Sequence, residues 1–184
     1  MAINLQKGQK VDVNLTKLGV GLGWDPNETD NGAAFDLDAS AFMLSPTKKI
    51  PTDHYFIFYN NLQSPDGALT HTGDVLEGEV EGDDESIKVD LTVINPNIVE
   101  ILFVVTIHEA KQRRQNFGQV RNSYIRIYND LTDEEIARYD LDEDFSVETA
   151  VEFGRLYKRD GKWKFEAVGI GYSEGLQEFV NKYA

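Results

Sequence analysis

The chain has 184 residues, 41% hydrophobic and 11% aromatic, with 32 Asp and Glu against 18 Lys and Arg, a formal net charge of −14 and an isoelectric point near 4.5. Such a composition builds one folded domain with a real core, and it argues against nucleic acid as a direct partner, which needs a clustered basic footprint. Cysteine is absent, so disulfides, thiolate metal sites and thiol redox chemistry are excluded for this chain.

The opening residues Met1–Gly8 carry no apolar signal-peptide core, so a cytoplasmic location is expected and the sequons at Asn14 and Asn27 are read as accidental. Val11–Leu15 alternates with the period of a strand. Gly19-Val20-Gly21-Leu22-Gly23-Trp24 is glycine-rich but lacks the Lys-Ser/Thr of a phosphate-binding loop; it is read as a place of close backbone packing near Trp24 and Asp25. Phe35–Met43 alternates again, which sends Phe35, Leu37, Ala39, Ala41 and Met43 to one face and Asp36, Asp38 and Ser40 to the other. Tyr55–Tyr59 and Ile101–Ile107 are continuous apolar runs, expected as strands buried on both faces and far too short to span a bilayer. Ser86–Leu91, Tyr124–Tyr128, Glu135–Leu141, Glu152–Tyr157 and Trp163–Ile170 complete the strand candidates, with a tight hairpin at Arg159-Asp160-Gly161-Lys162. Helices are expected over the polar stretch Glu109–Gln115 and the amphipathic stretch Gly175–Tyr183. The fold class is therefore mainly β: a single domain over residues 1–184, a two-sheet β-sandwich with short helices, including one at the C-terminus.

Charge is distributed unevenly along this frame. Leu18–Ile87 holds 14 of the 32 acidic residues and only Lys48 and Lys49 of the 18 basic ones, a formal charge of −12, while the remainder carries −2. Because these carboxylates are interleaved with residues that want burial, the segment is expected to fold, and folding them together calls for a cation. Asp36-Leu37-Asp38, the loop Asn60–Gly67 and the run His71–Glu85 offer carboxylate, amide and carbonyl oxygens in the number that Ca²⁺ takes. Mg²⁺, with its retained waters and preference for a substrate phosphate, suits so many carboxylates less well. A bound cation could also bridge the chain to an anionic membrane surface that would otherwise repel it. Asp140, Asp142 and Asp144 have the first spacings of an EF-hand, but Phe145 stands in place of its Gly and Val151 in place of its Glu. His108-Glu109 starts like a zinc-protease helix, yet Gln112 replaces the second His, so His108 is read as a strand end. His54 and His71 are read as structural, and Arg113, Arg114, Arg121 and Arg126 as a basic patch balancing the acidic face.

At these residues the chain resembles the TerD family of tellurite-resistance and stress-response proteins. The resemblance runs through Gly21–Asp25, Phe35–Ala41, Phe58–Asn61, His71–Asp74, Gly82–Glu85, Phe103–His108 and Asn116–Val120, in order and over nearly the whole chain. It implies a β-sandwich binding two Ca²⁺ ions close together, with Asp36, Asp38, Asp74, Asp83 and Glu85 as ligands and Asp25, Asn60, Asn61, Asp66 and Asp84 as further candidates. The chain departs from the family pattern at Val80 and Glu81, where Gly and Asp are frequent, and at Glu174 in its Gly-Tyr-x-Gly-Gly-Leu sequence. The resemblance also implies a cytoplasmic protein, in a family some of whose members associate with the inner membrane face; the reading adopted is a binding module that works with other stress or tellurite-resistance proteins through interactions rather than catalysis. Two alternatives stand beside it: a metal-dependent enzyme acting on phosphate-containing substrates, and an acidic structural partner for a basic protein surface.

Overall fold

In a computed structural model of the chain, the described residues are 2–24, 37–72, 83–108, 110–120, 122–141 and 147–184. They form two six-stranded sheets. The first runs, edge to edge, β1 (Ile3–Leu5), β10 (Glu135–Asp140), β9 (Tyr124–Asn129), β3 (Lys17–Gly23), β7 (Glu85–Asp90) and β6 (Leu69–His71). The second runs β2 (Lys10–Asp12), β12 (Lys162–Tyr172), β11 (Ala150–Arg159), β8 (Glu100–Ile107), β4 (Leu37–Leu44) and β5 (Phe56–Ile57). All pairings are antiparallel except that of β1 with β10.

Between the sheets lies the main core. Leu18, Val20, Leu22, Ile87, Val89, Ile125 and Ile127 of the first sheet meet Leu37, Ala39, Ala41, Met43, Phe103, Val105, Phe153 and Phe165 of the second. A second apolar cluster lies on the outer face of the second sheet, where Phe42, Leu44, Leu102, Val104 and Ala150 are covered by Phe179 and Tyr183 of helix α2 (Leu176–Tyr183). That double coverage explains why all eight residues of β8 are buried and the strand shows no alternation. By contrast β7, whose outer face is open, alternates buried and half-buried residues along its length. Asp160 and Gly161 both take positive φ, 52° and 76°, the conformation a two-residue hairpin between right-twisted strands requires.

Two expectations need correction. The apolar run 55–59 is not a full strand: Tyr55 closes a short 3-10 turn, only Phe56–Ile57 pair with β4, and Tyr59 is 56% exposed. Its aromatics stack outward from the sheet instead, Phe42 on Phe56 at 4.5 Å and Phe56 on Phe58 at 4.4 Å. The close packing expected at the glycine-rich stretch is present, and the stretch is strand β3, inside the first sheet. Helix α1 is one turn, Ala110–Arg113, shorter than its polar pattern predicted.

Candidate functional site

Four strand ends meet at one place, and side chains tie them together. β5 is two residues long, and among the described residues no strand pairs with that edge of β4 beyond Ala41. The backbone of Ala39 would there be left without a strand partner. Glu85, at the start of β7, accepts the Ala39 N–H through Oε2 at 2.5 Å, and His71 Nε2, at the end of β6, donates to the Ala39 carbonyl at 3.2 Å. Both side chains are buried, 3% and 4% exposed, with His71 Nε2 3.6 Å from Glu85 Oε2. A buried backbone group left unmatched is costly, so these two residues act as a substitute strand edge. Asp84 performs the same service at the end of β3: its N–H donates to the Leu22 carbonyl at 2.8 Å, and its Oδ2 accepts the Trp24 N–H at 2.9 Å. Thr72 N–H donates to the Ser86 carbonyl at 3.0 Å.

The described residues that flank two acidic segments of the sequence thus lie at the same end of the sandwich. One, residues 25–36, contains Asp25, Glu28, Asp30 and Asp36; the other, residues 73–82, contains Asp74, Glu77, Glu79 and Glu81. Of the sequence-predicted ligands, Asp25, Asp36 and Asp74 lie in these segments, outside the described residues. Asp38 is half-buried on β4 and occupies the outer face, opposite Thr106 of β8, with Ser40 and Phe42 following on that face. Ser40 Oγ is buried and has no hydrogen-bond partner among the described residues.

Asp83 is held differently from its neighbours. Arg126 of β9 clasps its carboxylate with Nε at 2.9 and 3.0 Å and with a terminal nitrogen at 2.8 Å, and Tyr124 Oη donates to Oδ1 at 2.9 Å. The hydrogen bonds to Asp83 hold Arg126 above its ordinary range, and burial followed by the nearby Asp83 charge pushes the Tyr124 phenol up. Asp83 lies flat over Gly21: a β-carbon there would come within 2.3 Å of its carboxylate. Tyr128 and Tyr124 cover Gly19 and Gly23 in the same way. The Arg126 guanidinium also stacks 4.4 Å from the Tyr128 ring centroid, and Arg138 stacks 3.9 Å from that of Tyr124. Sequence reading placed Arg126 in a balancing basic patch but missed Tyr124 and the overlay. Its signal was there: glycine at every second position, 19, 21 and 23, is a strand face kept bare for large side chains from elsewhere.

The remaining candidates stand apart. Asp66 ties its own loop, accepting from Ser64 Oγ at 2.5 Å, Ala68 N–H at 2.9 Å and Asn95 N–H at 2.8 Å. Asn61 donates its amide to the carbonyls of His54 and Phe56 at 3.0 and 2.7 Å, and Asn60 is exposed in the same turn. Asp140 accepts from Arg138 at 3.0 Å at the end of β10, and Asp142 and Asp144 lie outside the described residues. Among the described residues no three His, Asp or Glu side chains gather as a metal-binding group. What they do supply beside the two acidic segments of the sequence is hard oxygen in two places: Asp84 and Glu85 at the strand ends, and Asp38 with the unmatched Ser40 hydroxyl on the outer face of β4. That donor set fits a hard divalent cation better than a thiophilic one.

The family model of the TerD domain matches residues 1–183. General stress protein 16U of Bacillus subtilis (strain 168) is 51% identical over 188 residues, covering 100% of this chain and 97% of that protein. Tellurium resistance protein TerD of an Alcaligenes species is 52% identical over 188 residues, with the same coverage. A crystal structure of a Streptomyces coelicolor A3(2) homologue of telluride resistance protein (TerD) superposes with a TM-score of 0.69 at 22% identity, over 90% of this chain and 95% of that one.

Proposed function

The chain belongs to the TerD domain family, among tellurium-resistance and general stress proteins, and we propose that within it the chain is a Ca²⁺-binding module that acts through interactions rather than catalysis. One observation carries this reading. Glu85 against Ala39 and Asp84 against Trp24 bring the ends of two acidic segments, far apart in sequence, to one end of the sandwich. Carboxylates so concentrated repel one another unless a cation sits among them. The residues that would hold it are Asp38, Asp84 and Glu85 with Asp25, Asp36 and Asp74, and the oxygen supply is enough for two ions. A bound Ca²⁺ would supply charge neutralisation and a fixed loop surface for other stress or tellurium-resistance proteins to meet in the cytoplasm or at the inner membrane face. The absence of cysteine argues against direct thiol reduction of tellurium oxyanions by this chain.

Calorimetric and thermal titration of the chelator-stripped chain tests the reading. A ligand bound only by the native state adds about 2.7 kcal/mol at a hundredfold excess over its Kd, worth roughly 5–11 °C in Tm for a chain of this size. Ca²⁺ should give that rise, and Mg²⁺ at equal concentration a smaller one. An unchanged melting curve with Ca²⁺ sinks the proposal; a larger response to Mg²⁺ favours a metal-dependent enzyme acting on phosphate-containing substrates.

A further inference from the structure

We infer that Asp83 is not a cation ligand but the strut that positions the acidic segment, clamped by Arg126 and Tyr124 onto the glycine face of β3. The inference rests on the Ca²⁺-binding reading above and assigns a positioning role within it. A carboxylate offers about four lone-pair sites. Here three contacts from Arg126 and one from Tyr124 occupy both oxygens. The guanidinium is a permanent cation, so a metal ion at those oxygens would sit against a fixed like charge. The pair is also largely sheltered from solvent, with side chains 11% and 22% exposed.

Asp84 and Glu85 follow directly in the chain, and each has a separate task at the meeting of strand ends. A residue locked to β9 immediately before them sets where the 73–82 segment rejoins the sheet and which way its two successors face. The lock is built into three strands: Gly21 of β3 leaves the space, Arg126 and Tyr124 of β9 supply the donors, and β7 begins two residues later. Arg126 is in turn steadied by Tyr128, whose hydroxyl is 2.6 Å from Ser86 Oγ, so the clamp closes back on β7. The binding end of the sandwich is thereby set before any cation arrives.

Arg126→Gln separates this role from its rival by sign. Removing a positive charge beside a cation site raises Ca²⁺ affinity on electrostatic grounds alone, and it would free Asp83 to bind metal. If Asp83 is a strut, the same substitution loosens the segment and weakens Ca²⁺ binding several-fold, with the number of ions bound unchanged. Asp83→Asn should behave alike, and in chelator both variants should melt below the parent. The Asp83→Asn/Arg126→Gln double variant should lose clearly less than the two losses combined, because one contact is being removed twice. Tighter binding or an additional ion in Arg126→Gln, or loss of an ion in Asp83→Asn with an unchanged melting temperature in chelator, overturns the strut and leaves the Ca²⁺ reading standing. A parent chain that takes up no Ca²⁺ overturns the reading on which the strut rests.

Discussion

Substituting Gly21 by Ala puts the overlay on β3 to a direct test. The β-carbon would stand 2.3 Å from one carboxylate oxygen of Asp83 and 2.6 Å from the other, well inside van der Waals contact. A flexible side chain could swing clear, but Asp83 is short and gripped by Arg126 and Tyr124, so moving it breaks those hydrogen bonds. Losing hydrogen bonds to a charged, largely buried group costs about 1.5–3 kcal/mol, and overpacking adds about 1–3 kcal/mol where the strand cannot yield. A net loss of about 2–4 kcal/mol corresponds to a fall in Tm of roughly 4–16 °C for a domain of this length. Urea unfolding with chelator present measures it, comparing Gly21→Ala in the parent and in an Asp83→Ala background. With the carboxylate gone the added methyl has room, so the second loss should be under about 1 kcal/mol. Equal losses in the two backgrounds would show that the clash lies elsewhere and that Asp83 does not rest on β3.

Three further predictions address other parts of the molecule. Glu85→Ala should cost about 1–3 kcal/mol in chelator by stranding the buried Ala39 N–H, whereas Glu85→Gln, which keeps an acceptor oxygen, should stay near the parent in melting experiments. Burial and the Glu152 carboxylate, to which Tyr183 donates at 2.8 Å, raise the Tyr183 phenol above its ordinary value near 10. Its contribution is therefore complete below about pH 10 and fades as pH rises toward the higher folded value, so Tyr183→Phe should be less stable than the parent at neutral pH but show a flatter alkaline decline in urea unfolding. Asp38→Asn should weaken Ca²⁺ binding strongly while leaving the stripped fold intact, and Asp142→Asn should leave binding unchanged; calorimetry giving the reverse order would move the site to residues 140–144.

Much of the architecture was legible because it is written in short-range periodicity. The alternation of Phe35–Met43, observed from Leu37 onward, correctly divided β4 into a core face and an outer face carrying Asp38 and Ser40. The Asp160-Gly161 turn and the amphipathic C-terminal helix were legible for the same reason: each pattern completes itself within one turn or one strand. Where the pattern mixed two faces it misled. Tyr55–Tyr59 is as apolar as a buried strand, yet only Phe56 and Ile57 pair with β4, and stacking of Phe42, Phe56 and Phe58 covers apolar surface that a longer strand would have buried.

The concentration of carboxylates between residues 18 and 87, and with it the proposal of a hard cation, come from composition alone. Which carboxylates face each other does not. Asp83 finds Arg126 across 43 residues, Glu85 finds Ala39 across 46, and Trp24 finds Asp84 across 60. Three adjacent acids that look interchangeable in sequence are consequently put to different uses: Asp83 grips an arginine, Asp84 caps β3, and Glu85 completes the edge of β4. Sequence determines which groups exist and how each strand is faced, because those properties depend on neighbours a few residues away. Only the closing of the two sheets decides which groups meet, because that depends on strand order and register set by the shared core.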